Sequence, residues 1–238
     1  MSLIISGNAD FWSRFEERVA PYNLLQHPFY QAWSKGELTR GDLREYAAEY
    51  WHHVSAFPTY LSALHSRLPD GEMRREVLRN LAEEEGVDAA TARPHSDLWM
   101  DFAEEMGASR DEVTGRGVQP EMAGLMAMFR ELMQEGTASS AMAALYAYES
   151  KVPAIATTKA DGLAEHYGIE GAAARYFTLH QTADVAHAGV WRELIDKELA
   201  ASSSTEDEEA ALNAGERAAK ALWVALDGVE RRRLVVAN

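Results

Sequence analysis

Apolar side chains recur every three to four positions along almost the whole chain, and no segment shows the strict alternation of a half-buried strand. Phe11, Trp12, Phe15 and Val19 make the first such stripe, with Asn8 as its expected cap and Pro21 as its end. A short helix is expected from His27 to Lys35-Gly36, with Pro28 in its first turn, where a missing N–H is not needed. Thr39 with Asp42 three residues on reads as a capping box, opening a long helix through Leu43, Tyr46, Tyr50, His53 and Phe57. Pro58 is expected to kink it, while Tyr60, Leu61, Leu64 and Leu68 continue the stripe.

Asp70-Gly71 marks a turn before a helix carrying Val77, Leu78 and Leu81 that closes at Gly86. A polar connection leads to a helix from near Pro94, with Leu98, Trp99, Phe102 and Met106. A loop rich in glycine and charge follows, then a Met-rich helix near 120 to 135, then an Ala-rich helix from about Ser139 that Pro153 interrupts. After the helix bearing His180, Ser202-Ser203-Ser204-Thr205 reads as a linker. The acidic residues beyond it and Arg231-Arg232-Arg233 suit the two ends of one last amphipathic helix. The pattern therefore predicts an all-α bundle, with residues 1–200 as one domain and 201–238 as a C-terminal helix packed on it.

Composition narrows the chemistry. The chain has 238 residues and no cysteine, so disulfides, thiolate metal sites and a cysteine nucleophile are excluded together. Any metal must then sit on nitrogen and oxygen donors, which suits iron, manganese or zinc. A formal net charge of -15 repels phosphate backbones, so nucleic acid is not an expected partner. The N-terminus lacks the pattern of a signal peptide and no apolar run reaches the ~20 residues a bilayer requires, so a cytoplasmic protein is expected.

Three metal-binding side chains, His180, Asp184 and His187, stand at i, i+4 and i+7. On one continuous helix they fall within roughly 60° of one another, half of a metal site. Tyr176, Phe177, Ala183, Val190, Trp191 and Leu194 flank them, so this helix reads as buried, and buried imidazole and carboxylate need partners. Glu149 is the one charge in Ala144-Leu145-Tyr146-Ala147-Tyr148-Glu149-Ser150, which points to a buried role. Glu83-Glu84-Glu85 and His95 are ambiguous alone: a solvated acidic face and a polar first turn explain them equally well. A ferritin-like assignment would use Glu49 with His52 and Asp184 with His187. It leaves His180 without a role and puts a carboxylate-x-x-His pair where that order has a lone Glu.

Taken together, Glu84, His95, Glu149, His180, Asp184 and His187 resemble the six-ligand set of haem-oxygenase-like di-metal oxidases. The resemblance is strongest to the branch named for the Chlamydia protein associating with death domains (CADD). It also rests on His27-Pro28-Phe29-Tyr30-Gln31-Ala32-Trp33, Ala56-Phe57-Pro58, Glu83-Glu84-Glu85-Gly86, His95-Ser96-Asp97-Leu98-Trp99 and Tyr148-Glu149-Ser150. It implies a bundle of seven to eight helices, shared with haem oxygenase and with the thiaminase-like (TenA) and pyrroloquinoline quinone synthase-like (PqqC) proteins. It also implies two non-haem metal ions, Fe/Fe or Fe/Mn, acting with O2 and a reductant, and a fold that admits a homodimer. The carboxylates speak against a haem pocket, and the lack of cysteine against thiaminase chemistry.

In this branch the product is p-aminobenzoate for folate, and the resemblance makes an internal tyrosine its ring source. It identifies Tyr30 as that tyrosine, Tyr46 and Tyr148 as further tyrosines near the metals, and Lys159 as a lysine that supplies nitrogen. On their own the tyrosines read as core packing and Lys159 as a solvated lysine at a helix end. The interval from Glu84 to His95 is longer than is usual in the family, which leaves Glu85 and Asp88 open as the first ligand. Two other readings stand beside this one: a di-metal oxidase acting on a small diffusible substrate, and a non-catalytic protein-interaction module.

Overall fold

The computed structural model describes residues 4–87 and 92–236, and among them every regular element is helical. The chain runs α1 (Ile4–Val19), α2 (Pro28–Ser34), α3 (Arg40–Arg67), α4 (Glu72–Glu84), α5 (His95–Glu105) and α6 (Arg110–Gly115). It continues as α7 (Pro120–Glu135), α8 (Ala138–Glu149), α9 (Val152–Tyr167), α10 (Arg175–His180), α11 (Ala183–Ser202) and α12 (Thr205–Val236). The segments outnumber the seven to eight expected because breaks at Ser150-Lys151 and Gln181-Thr182 divide longer rods, and because α2 and α6 are short. Among the described residues no helix is long and apolar enough to cross a membrane.

Most of the local expectations hold for the reasons that prompted them. Thr39 and Asp42 form a reciprocal capping box, with Asp42 N–H to Thr39 Oγ1 at 3.0 Å and Thr39 N–H to Asp42 Oδ2 at 2.8 Å. Pro58 lies inside an unbroken α3 of 28 residues: the apolar stripe packed against α4, α5 and α7 outweighs the lost backbone bond. α1 begins at Ile4, so Asn8 lies within it rather than at its cap. The charged loop after α5 contains α6, which has its own capping box of Ser109 and Glu112.

Three features of this packing build the centre. α12 lies along α7 and α8, and α11 along α8, so the Ala-rich α8 is enclosed on several sides. His27 caps α2 by accepting the Phe29 N–H at 3.1 Å and ties it to α12 through Asp227 at 3.2 Å. Gly86, at φ +67°, packs directly on the backbone of Arg93 and Pro94, where a Cβ could not fit. That contact closes the long interval between Glu84 and His95 and returns α5 to the end of α4.

Gly162 of α9 supports the same region. A Cβ there would lie 2.7 Å from Cδ1 of Trp33, a fully buried ring whose Nε1–H donates to the Lys159 carbonyl at 3.3 Å. Gly162→Ala is expected to destabilise the fold by about 1–3 kcal/mol through overpacking. A urea midpoint unchanged by that substitution would contradict the tight α2–α9 contact.

Candidate metal centre

Six side chains from five helices converge between α4, α5, α8, α10 and α11. Glu84, His95 and His180 each bring a donor atom within 4.8 Å of the other two, and Glu149, Asp184 and His187 do the same. Five of the six residues are buried, and His187 keeps 12% of its side chain accessible. Glu85 is exposed and Asp88 lies outside the described residues.

The one continuous helix expected for His180, Asp184 and His187 is not what forms. α10 ends at His180 and α11 begins at Ala183. Between them Thr182 N–H bonds Leu179 at 3.3 Å and Val185 N–H bonds Thr182 at 3.3 Å, both i to i−3. Such tightening adds about 20° of rotation per residue relative to an α-helix. His180 therefore joins Glu84 and His95, whereas Asp184 and His187 join Glu149. The three do not share one group; they divide between two.

The surrounding polar groups fix these donors. Glu149 closes α8, where it accepts from Asn80 Nδ2 at 3.1 Å and from Trp191 Nε1. Asn80 lies one turn before Glu84 and Trp191 one turn after His187, so each shares a helix face with a candidate ligand. His187 faces Asp184 through Nδ1 at 3.3 Å and Glu83 through Nε2 at 2.8 Å. His180 Nδ1 meets the Tyr176 carbonyl at 2.6 Å. His180 thus has one nitrogen held by a neighbouring oxygen, as metal-bound imidazoles usually do, whereas both nitrogens of His187 face carboxylates, the shorter contact being to Glu83. Spacing alone could have pointed to Asn80, Trp191 and Glu83, but their contacts arise only across helices.

The donor set fits cations. Burial, together with the charge of Asp184, pushes the Glu149 carboxyl up to about 8 despite the opposing pull of His187. Burial opposes a charged His187, yet the hydrogen bond and charge of Asp184 and the charges of Glu149 and Glu83 raise it to about 10. Glu84 Oε2 stands 2.9 Å from His95 Nδ1, a nitrogen with no aligned hydrogen-bond partner. Carboxylates crowded in this way beside imidazoles are at home around cations, and an all-nitrogen-and-oxygen set suits iron or manganese. Glu49 and His52 are elsewhere: Glu49 accepts the Gln119 N–H at 2.9 Å and lies 3.6 Å from Arg116, so the ferritin-like assignment finds no geometry.

Lys159 is not solvated and not at a helix end. It lies within α9, is 5% exposed and donates from Nζ to the Tyr46 hydroxyl at 2.6 Å. Tyr46 in turn meets Tyr30, hydroxyl to hydroxyl, at 3.1 Å, and Nζ stands 4.4 Å from the centre of the Tyr30 ring. Burial pushes the amine well below the ordinary lysine value and the phenols of Tyr30 and Tyr46 well above theirs, so all three tend to neutrality. Tyr46 therefore acts on Lys159 and Tyr30 through its hydroxyl and does not line the metal-facing cavity. Tyr148 and Tyr176 line both that cavity and the chamber around Lys159, and Tyr148 is in hydrogen-bonding contact with Tyr50 and Tyr176. The two spaces are small, about 10 Å³ beside the six donors and about 20 Å³ beside Lys159.

Similarity to known proteins follows this geometry. A TenA homologue from Pseudomonas syringae superposes with a TM-score of 0.80 at 18% identity, over 93% of both chains. A CADD-like protein of unknown function from Nostoc punctiforme gives 0.71 at 14% identity, over 96% of both. These likenesses define the class: a haem-oxygenase-like helical bundle. The sequence pattern of a family described as iron-containing redox enzyme matches residues 44–223, and the chain belongs to that family. It is an oxidoreductase, which sets aside the reading as a purely interacting module. A 4-aminobenzoate synthase from Nitrosomonas europaea is 39% identical over 229 residues, 92% of this chain and 90% of its own. One from Chlamydia pneumoniae is 35% identical over 208 residues, 87% and 89% of the two chains.

Proposed function

We propose that this protein forms 4-aminobenzoate with O2 as oxidant at a two-metal centre, and that the aromatic ring comes from its own Tyr30. The observation that carries this reading is the size of the internal spaces. Pockets for organic ligands usually enclose about 300–1,000 Å³, whereas those beside the six donors and beside Lys159 are about 10 and 20 Å³. That is about the space of a single water molecule. An aromatic ring and an amine nitrogen are already inside.

The chemistry of the two molecules agrees with that arrangement. Tyrosine and 4-aminobenzoate are both para-substituted rings. Converting one to the other breaks the Cα–Cβ bond, oxidises Cβ to a carboxylate carbon at the expense of O2, releases the phenolic oxygen as water and takes in the nitrogen of Lys159, whose Cε–Nζ bond breaks. The residues then have distinct tasks. Glu84, His95 and His180 would hold one ion, and Glu149, Asp184 and His187 the other; when bound, the pair supplies the electrons and Lewis acidity that turn O2 into an oxidant. Iron and manganese both suit these donors, so Fe/Fe and Fe/Mn pairs are both compatible with the site. Asn80 and Trp191 orient Glu149, and Glu83 orients His187. Tyr148 and Tyr176 stand between the ions and the lysine chamber. Lys159, kept neutral, presents a nucleophilic nitrogen over the Tyr30 ring, and the Tyr46 hydroxyl fixes its position.

Rescue of a strain that lacks its usual route to p-aminobenzoate tests the reading. The gene is expected to restore growth and Tyr30→Phe to abolish it. In purified protein carrying ring-labelled tyrosine, the label is expected in the product at no more than one molecule per chain. Rescue undiminished by Tyr30→Phe, or many unlabelled turnovers per chain, would exclude the internal ring and favour a diffusible substrate.

A further inference from the structure

A cavity of about 320 Å³ opens at the surface between the turns after α1, the break between α8 and α9, and α12. It shares three wall residues, Leu24, Tyr148 and Ile155, with the chamber around Lys159. Because the same three residues line both spaces, the shared wall is one residue thick, and it is apolar apart from the Tyr148 phenol. The volume lies in the range of small-molecule sites.

Its chemistry is two-sided. Val19, Ala147 and Leu222 contribute an apolar lining. Ser150 places a buried Oγ with no hydrogen-bond partner in this wall. Lys151 donates to Glu16 at 2.9 Å at the rim. An apolar slot whose polar end carries the Ser150 hydroxyl and the Lys151 ammonium suits a flat ring bearing one carboxylate.

We propose that this cavity binds a small aromatic monocarboxylate on its way out of the Lys159 chamber. The ligand class rests on 4-aminobenzoate being the product, whereas the location rests on the shared wall. A larger cavity of about 530 Å³, lined by five arginines, is the rival. It has no wall residue in common with the Lys159 chamber, so a molecule leaving that chamber does not meet it.

Calorimetric titration of the full-length protein with 4-aminobenzoate, which requires no turnover, tests the assignment. Ala154→Trp fills the cavity from an exposed wall position without entering the core. It is expected to weaken binding at least tenfold, while Arg232→Gln in the rival cavity leaves it unchanged. Aniline, which lacks the carboxylate, is expected to bind at least tenfold more weakly than 4-aminobenzoate. No measurable binding to the wild type, or a loss caused by Arg232→Gln and not by Ala154→Trp, would overturn the proposal. Binding sensitive to Ala154→Trp in a protein that fails to rescue would support the site and refute the reaction; rescue without binding would do the reverse.

Discussion

Asp184→Ala is expected to leave each chain with one firmly bound metal ion in place of two and to abolish product formation. Asp184 sits with Glu149 and His187, so its loss takes one of two carboxylates from that group and none from Glu84, His95 and His180. A divalent ion left with one acid and one imidazole in a buried site loses charge compensation, and Glu83 is already engaged with His187 Nε2. Even an outer partner of a metal ligand is worth roughly 10–100-fold in affinity, so a direct donor should exceed that. Elemental analysis after dialysis gives the count, and melting curves give the energy. A site saturated at 100 times its dissociation constant adds about 2.7 kcal/mol to stability, so metal should raise the variant's melting point by about half as much as the wild type's. Glu49→Ala, which breaks only the contact to Gln119 and Arg116, should retain both ions. Two tightly held ions in Asp184→Ala, or none in the wild type, would sink the two-group assignment.

The second large effect is a conflict between stability and function at Lys159. Lys159→Met should eliminate 4-aminobenzoate formation and yet give a protein more stable by about 1–3 kcal/mol near neutral pH. The amine is enclosed by aromatic faces, with the Tyr46 hydroxyl as its hydrogen-bond acceptor. A methionine fills similar space and makes favourable contacts with rings. The pH dependence carries the diagnosis. Burial lowers the folded pKa of Lys159 below its unfolded value of about 10.4. Between those two values the unfolded chain binds more protons, so wild-type stability rises with pH by up to about 1.4 kcal/mol per unit. The advantage of Lys159→Met should therefore be largest at low pH and shrink towards about pH 10. Urea midpoints across pH 7 to 10 measure it, and a gap that stays constant would mean that the amine is not held neutral by burial.

Much of this could be read before any coordinates. The helices, the capping box of Thr39 and Asp42, the turn at Gly86 and the burial of Glu149 follow from periodicity and from a charge set alone in an apolar run, because those signals act within a few residues. His180, Asp184, His187 and Glu149 could be nominated from spacing and surroundings, but Glu84 and His95 only jointly with them and through resemblance, since individually they look like any acidic helix end and any polar first turn. Glu83 shows the same limit: it sits in a run that reads as solvated, and only the approach of α11 brings His187 to it.

What the sequence by itself determined is the helical bundle, the exclusion of thiolate chemistry and a short roster of nitrogen and oxygen donors. Tertiary structure decided how those donors divide. A slight overwinding at Gln181-Thr182 separates His180 from Asp184 and His187, and a backbone contact at Gly86 returns His95 to Glu84. It also decided that Lys159 is enclosed, because an amine's solvation depends on the helices packed over it and not on its neighbours in the chain. Helical periodicity specifies which face a residue occupies; which other faces it meets is fixed by packing between segments distant in sequence.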